Sequence, residues 1–248
     1  MRTGNPALGD NTFTAVGRVA RAEEAMTIQG TANKAILLLL CVLVTASWIW
    51  SKYYQAMDPQ AVTPWVVVGA IAGFVVALVT IFKQVWAPVT APLYALLEGL
   101  VIGGVSAIFE AQFPGIVIQA AGLTLGTCLA LLLAYKSRLI QATENFKLGV
   151  VAATGGIAVF YLITLVIGFF GIQMPLMYGN SWASIGFSLF VVVIAALNLV
   201  LDFDFIEQGA AQGAPKYMEW YGAFGLMVTL IWLYLEMLRL LAKLRSRD

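Results

Sequence analysis

The sequence predicts an all-α integral membrane protein, a bundle of seven transmembrane helices. Three observations carry that prediction. Apolar residues fill 61% of the 248 positions and charged residues only 11%, against roughly 45–50% and about 25% in soluble domains. Apolar runs able to cross a hydrocarbon core of ~30 Å recur along the chain. Seven of the eight prolines, Pro59, Pro64, Pro88, Pro92, Pro114, Pro175 and Pro215, fall near the edges of those runs, where helix ends tolerate a residue without an N–H.

Residues 1–33 form a polar tail of mixed charge. The first apolar stretch after it is too long for a signal-peptide core, so the tail is expected to be retained. Within it FTAVGRVARAEEAMTIQG reads as a solvated arm. A surface helix with Val16, Val19 and Ala20 toward lipid is the alternative. The membrane domain is predicted over 34–245.

Its spans follow in order. The first, 35–50, closes on Trp48 and Trp50, the second, 64–82, opens on Pro64 and Trp65 and stops before Lys83, and the third is expected over 93–109. The fourth, 115–135, begins after Pro114 and ends at Tyr135. Leu148 to Leu201 then contains no Asp, Glu, Lys or Arg. That run of 54 residues is too long for one crossing. GIQMPLMYGNSW, with Gly, Pro and Asn at its centre, divides it into a fifth span at 148–170 and a sixth at 184–206. The seventh is predicted over 220–241. Trp and Tyr near the ends of these runs form an aromatic belt. The pairs Gly69/Gly73, Gly99/Gly103 and Gly122/Gly126 have the spacing at which small residues let helices approach closely inside a membrane bundle. A monomer, or a weak homo-oligomer through such a face, is expected.

The net charge of +1 and the lack of a basic, aromatic-interleaved block exclude a nucleic-acid partner. The absence of histidine removes His-based nucleophile pairs, His-ligated zinc and imidazole pH switches. Cys41 and Cys128 lie inside apolar runs and predict no disulfide. An intramembrane aspartyl protease would need a GxGD context that the chain lacks, so no enzyme and no cofactor are expected. With the N-terminus inside, nine Lys and Arg fall on the inner side and five on the outer, which predicts a cytoplasmic N-terminus. Four of the outer five are Arg239, Lys243, Arg245 and Arg247, so a re-entrant last segment with an inner C-terminus is the alternative.

Any titrating chemistry falls to carboxylates. Acids within spans are costly, on insertion scales ~2.5–3.5 kcal/mol, and tend to mark pathways or relays. The candidates are Glu98, Asp202, Asp204 and Glu236. Asp202 and Asp204 point to nearly opposite faces of one helix, because each residue advances by about 100°. Asp202 shares its face with Asn198, which is placed to donate a hydrogen bond to it, and reads as inward. Asp204 shares its face with Glu207 and Gln208 and reads as a headgroup residue. Glu236 has Arg239 three positions on, the spacing of a local ion pair.

The opening RTGNPAL, the segment APLYALLEG, the Asp202-to-Ile206 spacing at the end of the sixth span and the block GAPKYMEWYGAFGLMVTLIWLYLEMLRLLAKL together resemble the Bax inhibitor (TMBIM, YccA-like) family, in its bacterial branch. The resemblance covers essentially the whole chain. It implies a central last helix wrapped by six others, a pH-dependent calcium leak across the bacterial inner membrane, and a pH sensor of two acids on helices six and seven. By motif these fall on Asp202 and Glu236, which would also meet calcium transiently. Glu stands here where the family usually has Asp. A family latch at the end of helix two falls on Lys83, which lacks the bidentate geometry of arginine. The YccA side of the family implies the alternative, a regulator that restrains a membrane-bound protease.

Two carboxylates sharing one site do not both ionise cheaply, so such a pair holds a proton between them. Its loss would add charge between two helices and favour a hard cation that seeks oxygen ligands. One geometric condition applies. Glu236 lies ~28 Å along a helix started at Tyr217, whereas Asp202 is near the inner end of helix six. The acids meet only if the chain bends near Gly222 or Gly225.

Overall fold

The computed structural model describes residues 25–171, 174–179 and 181–247; most of the predicted surface arm lies outside them. Seven long helices follow one another: α1 Ile28–Ala56, α2 Thr63–Phe82, α3 Ala87–Gln112, α4 Ile116–Lys136, α5 Glu144–Phe169, α6 Trp182–Ala211 and α7 Met218–Arg245. A four-residue helical turn, Pro175–Tyr178, stands between α5 and α6. Each long helix is apolar and long enough to cross a bilayer. Among the described residues there is no β-strand, only an isolated bridge from Ala25 to Pro215. The chain is an all-α, multi-pass membrane protein. The most apolar windows of α6 and α7 are 61% and 56% buried, against 39% for the third span and 17–22% for the others. Interior burial is therefore shared by the last two helices rather than reserved for the last.

The helices outrun their apolar cores because local chemistry, not hydropathy, sets their ends. The tail gives way to helix at Ile28, earlier than the expected 34, because the Thr27 hydroxyl accepts from the Gly30 N–H at 2.9 Å and caps the polar first turn. Pro92 lies inside α3 rather than at its edge, with Pro88 in the first turn. α6 continues past Asp202 and Asp204 to Ala211. It then closes with Gly213 at φ 68° and an Ala214 N–H bond to the Gly209 carbonyl, the double signature of a left-handed helix cap. α7 is continuous through Gly222 and Gly225, so the expected bend is not present.

The described residues form two compact units, one of residues 25–114 and 205–228, the other of 115–204 and 229–247. In the first, α3 packs against α1 and α2. A Cβ at Gly99 would come within 2.4 Å of the Val42 carbonyl oxygen, one at Gly103 within 2.6 Å of that of Ala46, and one at Gly69 within 2.7 Å of that of Leu97. Backbones touch there only because the side chains are absent. Around Gly122 and Gly126, in the second unit, a Cβ would meet nothing within 4 Å. The third glycine pair is therefore not an internal packing site. The second unit is filled by Ile157, Val191 and Ile194, with Tyr161, Phe187 and Trp232 against them. Large apolar side chains such as Phe74, Leu133 and Phe169 are exposed, as lipid-facing residues are.

Candidate functional site

Along α6 the residues Ser184, Ser188, Val191, Ala195, Asn198 and Asp202 recur at alternating steps of four and three and are all buried. That spacing keeps one seam of a helix facing its neighbours. The seam is polar at both ends and apolar at its centre.

At one end Asp202 is fully buried. Asn198 does not donate to it as expected: its amide nitrogen donates to the Thr154 hydroxyl at 2.8 Å and to the Ile194 carbonyl at 2.9 Å. The Asn198 side-chain oxygen is buried and has no hydrogen-bond partner among the described residues. Asp204 is not a free headgroup residue. Its carboxylate meets the Lys147 ammonium at 2.9 Å and accepts from the Tyr135 hydroxyl at 3.4 Å. Lys147 is itself buried and reaches Glu144 at 3.3 Å. This clamp ties α6 to the ends of α4 and α5.

Glu236 is buried on α7 and held from two sides. The Tyr161 hydroxyl donates to it at 2.8 Å, and Arg239 donates to its two oxygens at 2.7 and 2.9 Å. Arg239 also donates to the Tyr161 hydroxyl at 2.8 Å, closing a three-membered network. The ion pair read from the three-residue spacing is present.

Helix α5 serves as a ruler between the two acids. It runs antiparallel to α6, since Lys147 meets Asp204, Thr154 meets Asn198 and Phe160 stacks on Phe187. Glu236 is anchored at Tyr161, two turns or ~10 Å from Thr154, and Asp202 lies one further turn, ~6 Å, beyond Asn198. The acids are thus ~16 Å apart along the bundle. This corrects the expected pairing: a continuous α7 carries Glu236 past the level of Asp202. Among the described residues no group of three or more Cys, Asp or Glu comes together to hold a metal ion.

The remaining expectations fall elsewhere. Glu98 is half-buried on α3 beside Tyr94, one turn back, with Gly73 of α2 opposite. Lys83 is exposed, closes α2 and forms no salt bridge among the described residues, so it latches no acid in this structure.

Two buried charges on α7 escaped the sequence reading. Glu219, in the first turn, is fully buried. It accepts from Lys34, from Lys216 at 3.1 Å, and from the Thr27 N–H and hydroxyl at 3.0 and 2.8 Å. A Cβ on Gly30 would fall 2.1 Å from its carboxylate, so glycine there makes room for the cluster. Near the other end Lys243 is buried, with its ammonium donating to the Ser188 hydroxyl at 2.8 Å and the Ser184 carbonyl at 3.3 Å.

No curated protein and no solved structure matches the chain. The family described as Bax inhibitor 1 like matches residues 5–246, a span that takes in all seven crossings, the α6 seam and both buried ends of α7. The chain belongs to the Bax inhibitor 1 like family.

Proposed function

We propose that the protein is a pH-responsive leak pathway for cations, calcium foremost, in the bacterial inner membrane, with its N-terminus in the cytoplasm. It acts as a passive pathway, not an enzyme, and holds no resident cofactor. The observation that carries the reading is the complete burial of Asp202 on a membrane-spanning helix. A carboxyl group in such a place gives up its proton only at high cost unless a cation offsets the charge, so proton and cation compete for it. Family membership supports the same reading. Because Glu236 stands ~16 Å away, the two acids work as separate stations. Asp202 carries the proton-linked step, and Glu236 is engaged by Arg239 and Tyr161.

The test is calcium efflux from dye-loaded vesicles reconstituted with purified protein, followed from acidic to mildly alkaline pH. The expected result is a leak that depends on pH in the wild type and loses that dependence in Asp202→Asn. A pH profile unchanged by the substitution removes Asp202 from the switch. Absence of flux, with a membrane-bound protease co-isolating from cells, supports instead a regulator that restrains such a protease.

A further inference from the structure

Lys243 is buried on α7 and makes no salt bridge among the described residues; the Glu236 carboxylate acts on it only through space. Lys147 has Asp204 and Glu144. Arg239, one turn before Lys243, is committed to Glu236. The partners of Lys243 are two neutral oxygens, the Ser188 hydroxyl and the Ser184 carbonyl, both on the α6 seam. A lysine this close to a helix end ordinarily extends its stem outward and places its ammonium in water. Here the side chain follows the backward tilt of helical Cα–Cβ bonds and enters the bundle, with the residue only 6% exposed.

Carbonyl and hydroxyl oxygens are the ligands that hard cations seek, and the ammonium already occupies them. We propose that Lys243 is a tethered cation that fills an oxygen-lined cation site at the Ser184–Ser188 end of the α6 seam, and so excludes free cations from that end. This rests on the leak reading above and deepens it. At the effective dielectric of such a site, a fixed positive charge a few ångströms away opposes a second cation strongly enough to lower its occupancy by about tenfold or more.

Vesicle efflux distinguishes the two readings. Lys243→Gln keeps a polar chain that Ser188 can bond but removes the charge, and is expected to raise calcium and monovalent efflux by about tenfold or more. Lys243→Arg is expected to stay near wild type. In a background with Cys41 and Cys128 replaced by Ala, Lys243→Cys is expected to leak and to close again when 2-bromoethylamine restores an ammonium. That rescue separates loss of charge from loss of fold.

If the wild type leaks and Lys243→Gln leaks equally, the tethered cation is overturned and the leak reading stands. If the wild type is silent and Lys243→Gln conducts, the tethered cation stands and the wild type is a closed pathway. If neither conducts, or if alkylation of the cysteine variant restores nothing, the proposal falls.

Discussion

The two compact units hold their helices together in different ways. In the one built from residues 25–114 and 205–228, backbones touch at Gly69, Gly99 and Gly103, and the buried Glu219 carboxylate is met by two ammonium groups, a hydroxyl and an N–H. In the other, of residues 115–204 and 229–247, glycines at 122, 126, 149, 155 and 156 have open space beside them. Its buried charges are bonded in short chains, Tyr161–Glu236–Arg239, Glu144–Lys147–Asp204 and Ser188–Lys243. Close backbone contact and full charge compensation make a rigid scaffold. In the second unit those glycines lie on the exposed face, and Lys243 is met by neutral oxygens alone, so charge compensation there is less complete. The candidate pathway residues Asp202, Asn198, Glu236 and Lys243 all fall in the second unit.

The strongest attempt to break this contrast is Glu219→Ala, which takes the shared acceptor from Lys34, Lys216 and Thr27 at once. A loss of about 3 kcal/mol is expected, the upper end for hydrogen bonds to a charged group; a thermal melt in detergent that shifts little would show the cluster to be ornamental. Gly103→Ala forces a methyl against the Ala46 backbone and should cost about 1–3 kcal/mol. Gly30→Ala should cost a similar amount through the Glu219 carboxylate. The double variant Gly30→Ala/Glu219→Ala should cost less than the sum of its parts, because the carboxylate that the methyl would strike is gone.

In the second unit the effects shrink. Tyr161→Phe removes the hydroxyl shared by Glu236 and Arg239 but leaves their ion pair, and about 1–2 kcal/mol should be lost in equilibrium unfolding. Gly126→Ala has no neighbour to strike, so stability should hold or rise by up to about 1 kcal/mol from helix propensity. A large loss at Gly126 would mean that this face packs on a second copy, and analytical ultracentrifugation of the variant would then show altered association.

The count of spans was legible because each crossing needs an apolar run of a length the bilayer dictates. Their ends were less so. α1 starts at Ile28 on the strength of a threonine cap, and α6 carries its helix through two aspartates to a glycine cap. Neither signal registers as hydropathy. The burial of Asp202 follows from the face it shares with Asn198, but the partner of Asn198 comes from Thr154, 44 positions earlier. Glu219 was missed for the same reason. Beside Lys216 it looks like a solvated acid in a first turn, while Thr27 and Lys34, 192 and 185 positions away, take it inside. The polar first turn TIQGTANK, with glycine where a helix would sooner have alanine, was the available hint. Lys243 resembles any basic residue of a membrane-protein tail, and only the serines of α6 mark it as buried.

The short pairing of Ala25 and Met26 with Ala214 and Pro215 has a mechanical consequence. It stitches the start of the first crossing to the corner between the last two. Displacing Ala25 and Met26 would therefore pull on that corner directly, through a Met26 N–H bond of 2.6 Å to the Ala214 carbonyl.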